Sequence, residues 1–188
     1  YIADGHHRSA SSALLASEMD INLSAKKDNA YNYFLSYLIP EKQLKIYDYN
    51  RLIKNLNGLT PKAFLDKIKL VFDVEDKGAD PYSSSVKNEI SMYLSGSFYS
   101  LSLHKSIQNN ATAISQLDTQ ILQSHLLEPI LGIKNERTDK RISYIHGKDS
   151  MEQIKTAVDR MDDAVGFGLF PIQTEELKAI ADSGAVMP

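Results

Sequence analysis

Asp4-Gly5-His6-His7-Arg8 gathers, within five residues, groups able to hold an anion and to move a proton. Tyr1-Ile2-Ala3 before it reads as the tail of a strand, and Ala10, Ala13, Leu14 and Ser17 after it keep helical spacing. The pattern predicts a strand, a tight turn and a helix. Asp4 then falls at the helix cap, where its carboxylate accepts from backbone donors of the first turn. Gly5 permits the turn and lets a ligand approach the backbone. His6, His7 and Arg8 lie inside that turn. The N-terminal end of a helix carries roughly half a positive charge, so each cation there costs about 0.3–1 kcal/mol. Two imidazoles and a guanidinium at that end make sense if an anion joins them. The helix donors and Arg8 would then grip a phosphate or carboxylate. Asp4 would act as base or hold Mg²⁺, and His6 or His7 would shuttle a proton near neutral pH. An Asp-Gly turn with surface histidines is the plainer alternative. His6 and His7 are adjacent and diverge on a helix, so the pair does not form a metal site by itself.

Asn50-Arg51 is a second candidate. It follows a strand and offers an amide and a fork-shaped cation suited to carboxylate or phosphate. A surface Arg at a strand end is the alternative. His125 shares a helical address with Ile121, Leu122 and Leu126 and reads as a packed residue. Tyr31, Tyr33, Tyr37, Tyr47 and Tyr49 read as core and rim. The sequence holds no Gly-x-x-x-x-Gly-Lys-Ser/Thr segment, so a nucleotide site would be of another kind.

The elements that must position these residues follow from pattern. Residues 24–29 read as a polar loop, 31–39 as a strand stopped by Pro40, and 44–49 as its hairpin partner. Thr60-Pro61 starts a helix with Phe64, Leu65, Ile68 and Phe72 on one side. Residues 76–85 read as a mobile loop. Residues 90–94 and 98–103 form a hairpin around Ser95-Gly96-Ser97. Asp118 caps a helix that ends near Gly132. Residues 141–146 form a strand, and Ser150 with Gln153 a capping box. Residues 164–170 form an apolar strand, and a last helix starts at Thr174. Hairpins mixed with helical crossovers predict an α/β chain of α+β type: a mixed β-sheet with hairpins, flanked by helices.

The 188 residues carry 21 basic and 24 acidic side chains, a net charge of −3, which argues against nucleic acid as the partner. Cysteine is absent, which removes disulfides and thiolate chemistry and fits a reducing, cytoplasmic setting. The apolar runs are far too short for a membrane span. Residues 1–188 read as one domain or most of one. The opening on Tyr1 and the close on Met187-Pro188 lead us to expect further chain at both ends.

The segment from Tyr1 to Arg8 and its Ala/Ser-rich helix resemble a bacterial and archaeal family known as domain of unknown function 1015. So do Tyr49-Asn50-Arg51, Leu117-Asp118 leading into Leu131-Gly132, and the segment from Ala181 to Pro188. The resemblance implies a substantial N-terminal portion and a Lys-Ser-Thr stretch outside this chain. The motif is also similar to one in the ParB/sulfiredoxin-like fold, which binds nucleotide phosphates, and in archaeal free-serine kinases. That likeness would make Asp4, His6, His7 and Arg8 phosphate-handling residues and tilts the substrate toward serine or phosphoserine. The expected function is phosphoryl transfer or phosphoester hydrolysis on a small phosphorylated metabolite, with Mg²⁺ and a nucleotide as possible cofactors. The alternative is a nucleotide- or anion-binding regulatory module without chemistry.

Overall fold

The computed structural model describes residues 1–22, 29–47, 49–107, 112–147 and 149–185, with the side chains of residues 20–22 left out. The chain divides into two compact units, Tyr1–Leu44 and Lys45–Pro188.

The first unit is dominated by helix α1 (His6–Asn22). Two single 3₁₀ turns follow, Ala30–Asn32 and Glu41–Gln43. The strand expected at residues 1–3 is not formed, and neither is the one expected at 31–39. Residues 33–39 have no ladder, and Tyr33, Leu35, Tyr37 and Leu38 are exposed. A β-prone sequence becomes a strand only where a neighbour pairs with it. Most of the loop expected at 24–29 lies outside the described residues.

The second unit runs β1 (Tyr49–Ile53), α2 (Pro61–Ile68), β2 (Phe72–Gly78), β3 (Glu89–Leu94), β4 (Ser97–Leu103), α3 (Asp118–Leu122), β5 (Ile142–His146), α4 (Ser150–Val158), β6 (Val165–Gly168) and α5 (Thr174–Asp182). The six strands form one sheet in the order β2-β4-β3-β6-β1-β5. Every pairing is antiparallel. The class is therefore α+β, with helices and strands mixed along the chain.

Local chemistry explains most boundaries. The Thr60 hydroxyl accepts from the Ala63 amide, and Pro61 fills the first position of α2. Ser95 and Gly96 both have positive φ, 47° and 90°, which matches the twist of the β3–β4 hairpin. The apolar run at 164–170 becomes β6, a central strand buried on both faces. Phe72 belongs to β2, not to the preceding helix, and the first three residues of the expected loop at 76–85 complete that edge strand. The remainder is tied down by hydrogen bonds from Tyr82 Oη to Glu89 and from the Ser84 amide to Ser91 Oγ (2.7 Å). β1 starts only at Tyr49, later than the strand expected at 44–49.

The sheet is covered on both faces. Ile53, Ile90, Met92, Leu101 and Phe167 pack with Phe64 and Ile68 of α2 and with Ile121 and Leu122 of α3. Leu52, Tyr93 and Phe98 pack on the other face with Met151, Ile154 and Val158 of α4. Two glycines of β6 let α4 approach. A Cβ on Gly166 would lie 1.9 Å from Ile154 Cγ2, and one on Gly168 would lie 2.4 Å from Met151 Sδ. Among the described residues, no helix is long and apolar enough to cross a membrane.

Candidate functional site

The Asp4–Arg8 segment is the start of α1, but its cap is shifted by one residue. The first helical residue is His6, and the Gly5 carbonyl accepts from the Ser9 amide at 2.9 Å. Gly5 has φ +81°, a conformation that L side chains rarely adopt. Gly5, not Asp4, therefore holds the position ahead of the helix. The Asp4 carboxylate instead reaches forward one turn to Arg8, with Oδ2 3.6 Å from Nη2. The guanidinium folds back over Gly5: a Cβ there would meet Nη2 at 3.1 Å. Asp4, His6, His7 and Arg8 are all exposed.

Such a pair is easily exchanged for another partner. The side chains of Arg8 and Asp4 are 82% and 97% exposed. Exposed ion pairs contribute about 0–1 kcal/mol, so an incoming anion displaces Asp4 at little cost. The helix is 17 residues long, and its first turn contains no acidic side chain. Its positive end is thus answered by Asp4 alone among the side chains of the motif. Among the described residues, no group of three or more His, Asp or Glu side chains could hold a metal ion. A divalent ion at Asp4 would have to take most of its ligands from a bound phosphate and water, as Mg²⁺ commonly does.

Asn50 and Arg51 lie in the second unit, inside its sheet. Asn50 is fully buried on the α4 face. Its Nδ2 donates to Ser150 Oγ (2.7 Å) and its Oδ1 accepts from the Leu169 amide (2.9 Å). It thereby joins β1 to the first residue of α4 and to the end of β6. The cap position falls to Asp149, at φ +61°, not to Ser150 as the expected capping box requires, and the Asp149 side chain makes no cap hydrogen bond. Arg51 points to the opposite face. Its Nε donates to Glu136 Oε2 at 3.0 Å, its Nη1 donates to the Tyr49 carbonyl, and its guanidinium lies 5.6 Å from the Tyr144 ring centre. Asn50 has both side-chain polar atoms, and Arg51 its Nε and Nη1, hydrogen-bonded within the unit.

A model of the family described as "Protein of unknown function (DUF1015)" matches residues 1–120, more than half of the 188. The chain belongs to that family. The DUF1015 match takes in both the Asp4–Arg8 segment and the Asn50-Arg51 pair. No curated protein and no solved structure gives a match to this DUF1015 chain.

Several polar groups of the DUF1015 chain escape a reading of sequence. Asp118 was expected as a helix cap, yet it is the first residue of α3 and 94% hidden, at 6% exposure. Its Oδ1 accepts from the Asn88 amide at 3.0 Å, and burial pushes its carboxyl up to about 6. Tyr93, Lys155 and Asp159 form a second cluster that fastens α4 to β3. Tyr93 Oη donates to Asp159 (2.6 Å) and accepts from Lys155 (3.0 Å). Burial raises the Tyr93 phenol, and the Lys155 hydrogen bond holds the Asp159 carboxyl down. Tyr82 is pushed up to about 12, by burial first and then by its Glu89 partner. His125 is half-buried in a π-helical turn, Gln123–Leu127, and burial lowers its pKa, which agrees with a packed role. The pairings across 30 residues or more leave no local trace in the sequence.

Proposed function

We propose that the start of α1 binds the phosphate of a small metabolite, and that the protein catalyses phosphoryl transfer or phosphoester hydrolysis on it. The observation that carries this reading is the exposed cluster of His6, His7 and Arg8 at the positive end of a 17-residue helix. Arg8 would supply two parallel donors to phosphate oxygens, and the first-turn amides would supply more. Asp4, released from Arg8, would be free to act as base or to contact Mg²⁺. A histidine beside the phosphate would move the proton. Phosphoserine, or serine with a nucleotide, is the favoured substrate class. Asn50 and Arg51 would hold β1 in place through the hydrogen bonds they make within their own unit.

The open setting of the motif favours a second reading. Phosphoryl transfer gains from water exclusion, and all four polar side chains of the motif are exposed. A nucleotide- or anion-binding module would need only the contacts described. The test is a titration with inorganic phosphate, phosphoserine and ATP with Mg²⁺, followed on the amides of Gly5 to Arg8 by NMR, beside a steady-state assay. Shifts at those amides with turnover support the enzyme. Shifts without turnover support the module. Shifts confined to other residues would remove both.

A further inference from the structure

We infer that α5 is a pH-sensitive flap that closes over Asp118 and opens when that carboxyl is ionised. The carboxyl is tied on one side only. Oδ1 accepts from the Asn88 amide at 3.0 Å. Among the described residues, Oδ2 is buried and has no hydrogen-bond partner, and the same holds for the neighbouring Thr119 Oγ1. Both residues line a small pocket of about 10 Å³ together with Lys87, Phe170, Ile172 and Glu176. That volume is near the lower limit for one water molecule. An ionised carboxylate with half its acceptors unanswered is costly to keep there. Opening the cavity to water removes that cost.

The cover is lightly held. Of the residues in α5, Ile180 is the buried one. The helix carries Glu176, which pairs with Lys87 from the segment entering β3. These two are the charged groups facing Asp118 from the elements around it. Glu176 works against its ionisation and Lys87 favours it, while burial outweighs both. Closed, the carboxyl titrates at about 6 instead of the ordinary 3.8. Open, it meets water and titrates near the ordinary value. The closed form therefore holds the proton more tightly, and opening grows as pH rises from about 4 to about 6, then levels off. A difference of about two pKa units corresponds to about a hundredfold change in the opening equilibrium.

Amide hydrogen exchange of the full chain tests this, with rates corrected for intrinsic chemistry. Protection of amides in α5 should fall by up to about a hundredfold between pH 4 and pH 6.5, while amides of α2 keep theirs. Asp118→Asn keeps the shape without the charge and should give a flat, protected α5 profile. A flat wild-type profile, or the same slope in Asp118→Asn, would overturn the flap. Should that variant not fold, the Asp118 carboxyl can be titrated by NMR in the wild-type chain. A midpoint that tracks the loss of α5 protection supports the inference, and a midpoint at the ordinary carboxyl value overturns it.

Discussion

Arg8 sits at the exposed end of α1 with a carboxylate partner 3.6 Å away, a distance at which charge attracts but no short hydrogen bond forms. An anion with two oxygens would offer the guanidinium better geometry than Asp4 does. Arg8→Lys keeps the charge and loses the fork, so phosphate affinity should fall by about tenfold or more while the melting temperature stays within a degree or two of the parent. Isothermal titration with phosphoserine, beside a thermal melt, checks this; equal affinity in the variant would remove the phosphate reading. Asp4→Asn separates a different role. Because Gly5 precedes the helix, the substitution should leave stability almost unchanged and bring phosphate closer by removing a competing charge. Affinity should then rise slightly, while turnover falls if Asp4 serves as base or metal contact. Full turnover in Asp4→Asn would confine the residue to shielding Arg8. The candidate site was legible as residue types: Asp, Gly, two His and Arg are all written side by side. Which residue precedes the helix was not legible, since both Asp and Gly suit a helix start and only the φ of Gly5 decides. Asn50 and Arg51 show the opposite limit. Their chemistry suits a ligand, yet Ser150, Leu169 and Glu136, between 85 and 119 residues away, already answer it.

Elements with a local signal came through the sequence, and so did β5 and β6, whose apolar residues mark them although their partners are distant; β2 did not. Thr60-Pro61 and Ser95-Gly96 each fix their own backbone, so α2 and the β3–β4 hairpin could be read directly. β2 could not, because Phe72, Val74 and the charged residues beside them form an edge strand only against β4. Residues 31–39 have the composition of a strand and form no ladder. The seating of α4 on the sheet belongs to this scale as well. Gly166 and Gly168 interrupt the apolar side chains of β6 and are the places where Ile154 and Met151 descend onto it. Gly166→Ala would put a methyl group 1.9 Å from Ile154 Cγ2, which forces α4 away from the sheet. The expected cost is about 1–3 kcal/mol, seen as a lower denaturant midpoint with an unchanged slope. Pairing it with Ile154→Ala should recover part of the loss, because the smaller side chain vacates the space. Strict additivity of the two changes would mean that helix and strand do not meet there.

Acid and base act on this molecule through carboxyls shifted in opposite directions, and their sum sets where it is most stable. Asp139 is held below the ordinary carboxyl range by Arg141, whose Nε and Nη2 reach its two oxygens at 3.0 and 2.7 Å. Asp159 is held down by Lys155. A carboxyl with a lowered folded pKa contributes stability that is present above its unfolded value and lost as pH falls through the folded one. These two groups therefore weaken the fold only below about pH 3.8, the ordinary value. Asp118 has the reverse sign. Its folded pKa is raised to about 6 from 3.8, so the fold prefers the protonated form, and stability is gained as pH falls through that interval. His125 opposes Asp118 in the same interval: burial lowers its pKa, so stability is lost as pH falls below about 6.5. About two pKa units bound the contribution of Asp118 at roughly 3 kcal/mol, part of which the Asn88 and Phe170 amides already lessen within that shift. Asp118→Asn removes the term. Its unfolding free energy should lose the decline between pH 4 and pH 6 that Asp118 gives the wild type, and keep the loss on acidification below about pH 6.5 that burial of His125 brings; both proteins should weaken together below pH 3.8. Urea titrations at half-unit pH steps give the two curves. Two curves of the same slope between pH 4 and pH 6 would show that Asp118 contributes nothing to the pH dependence.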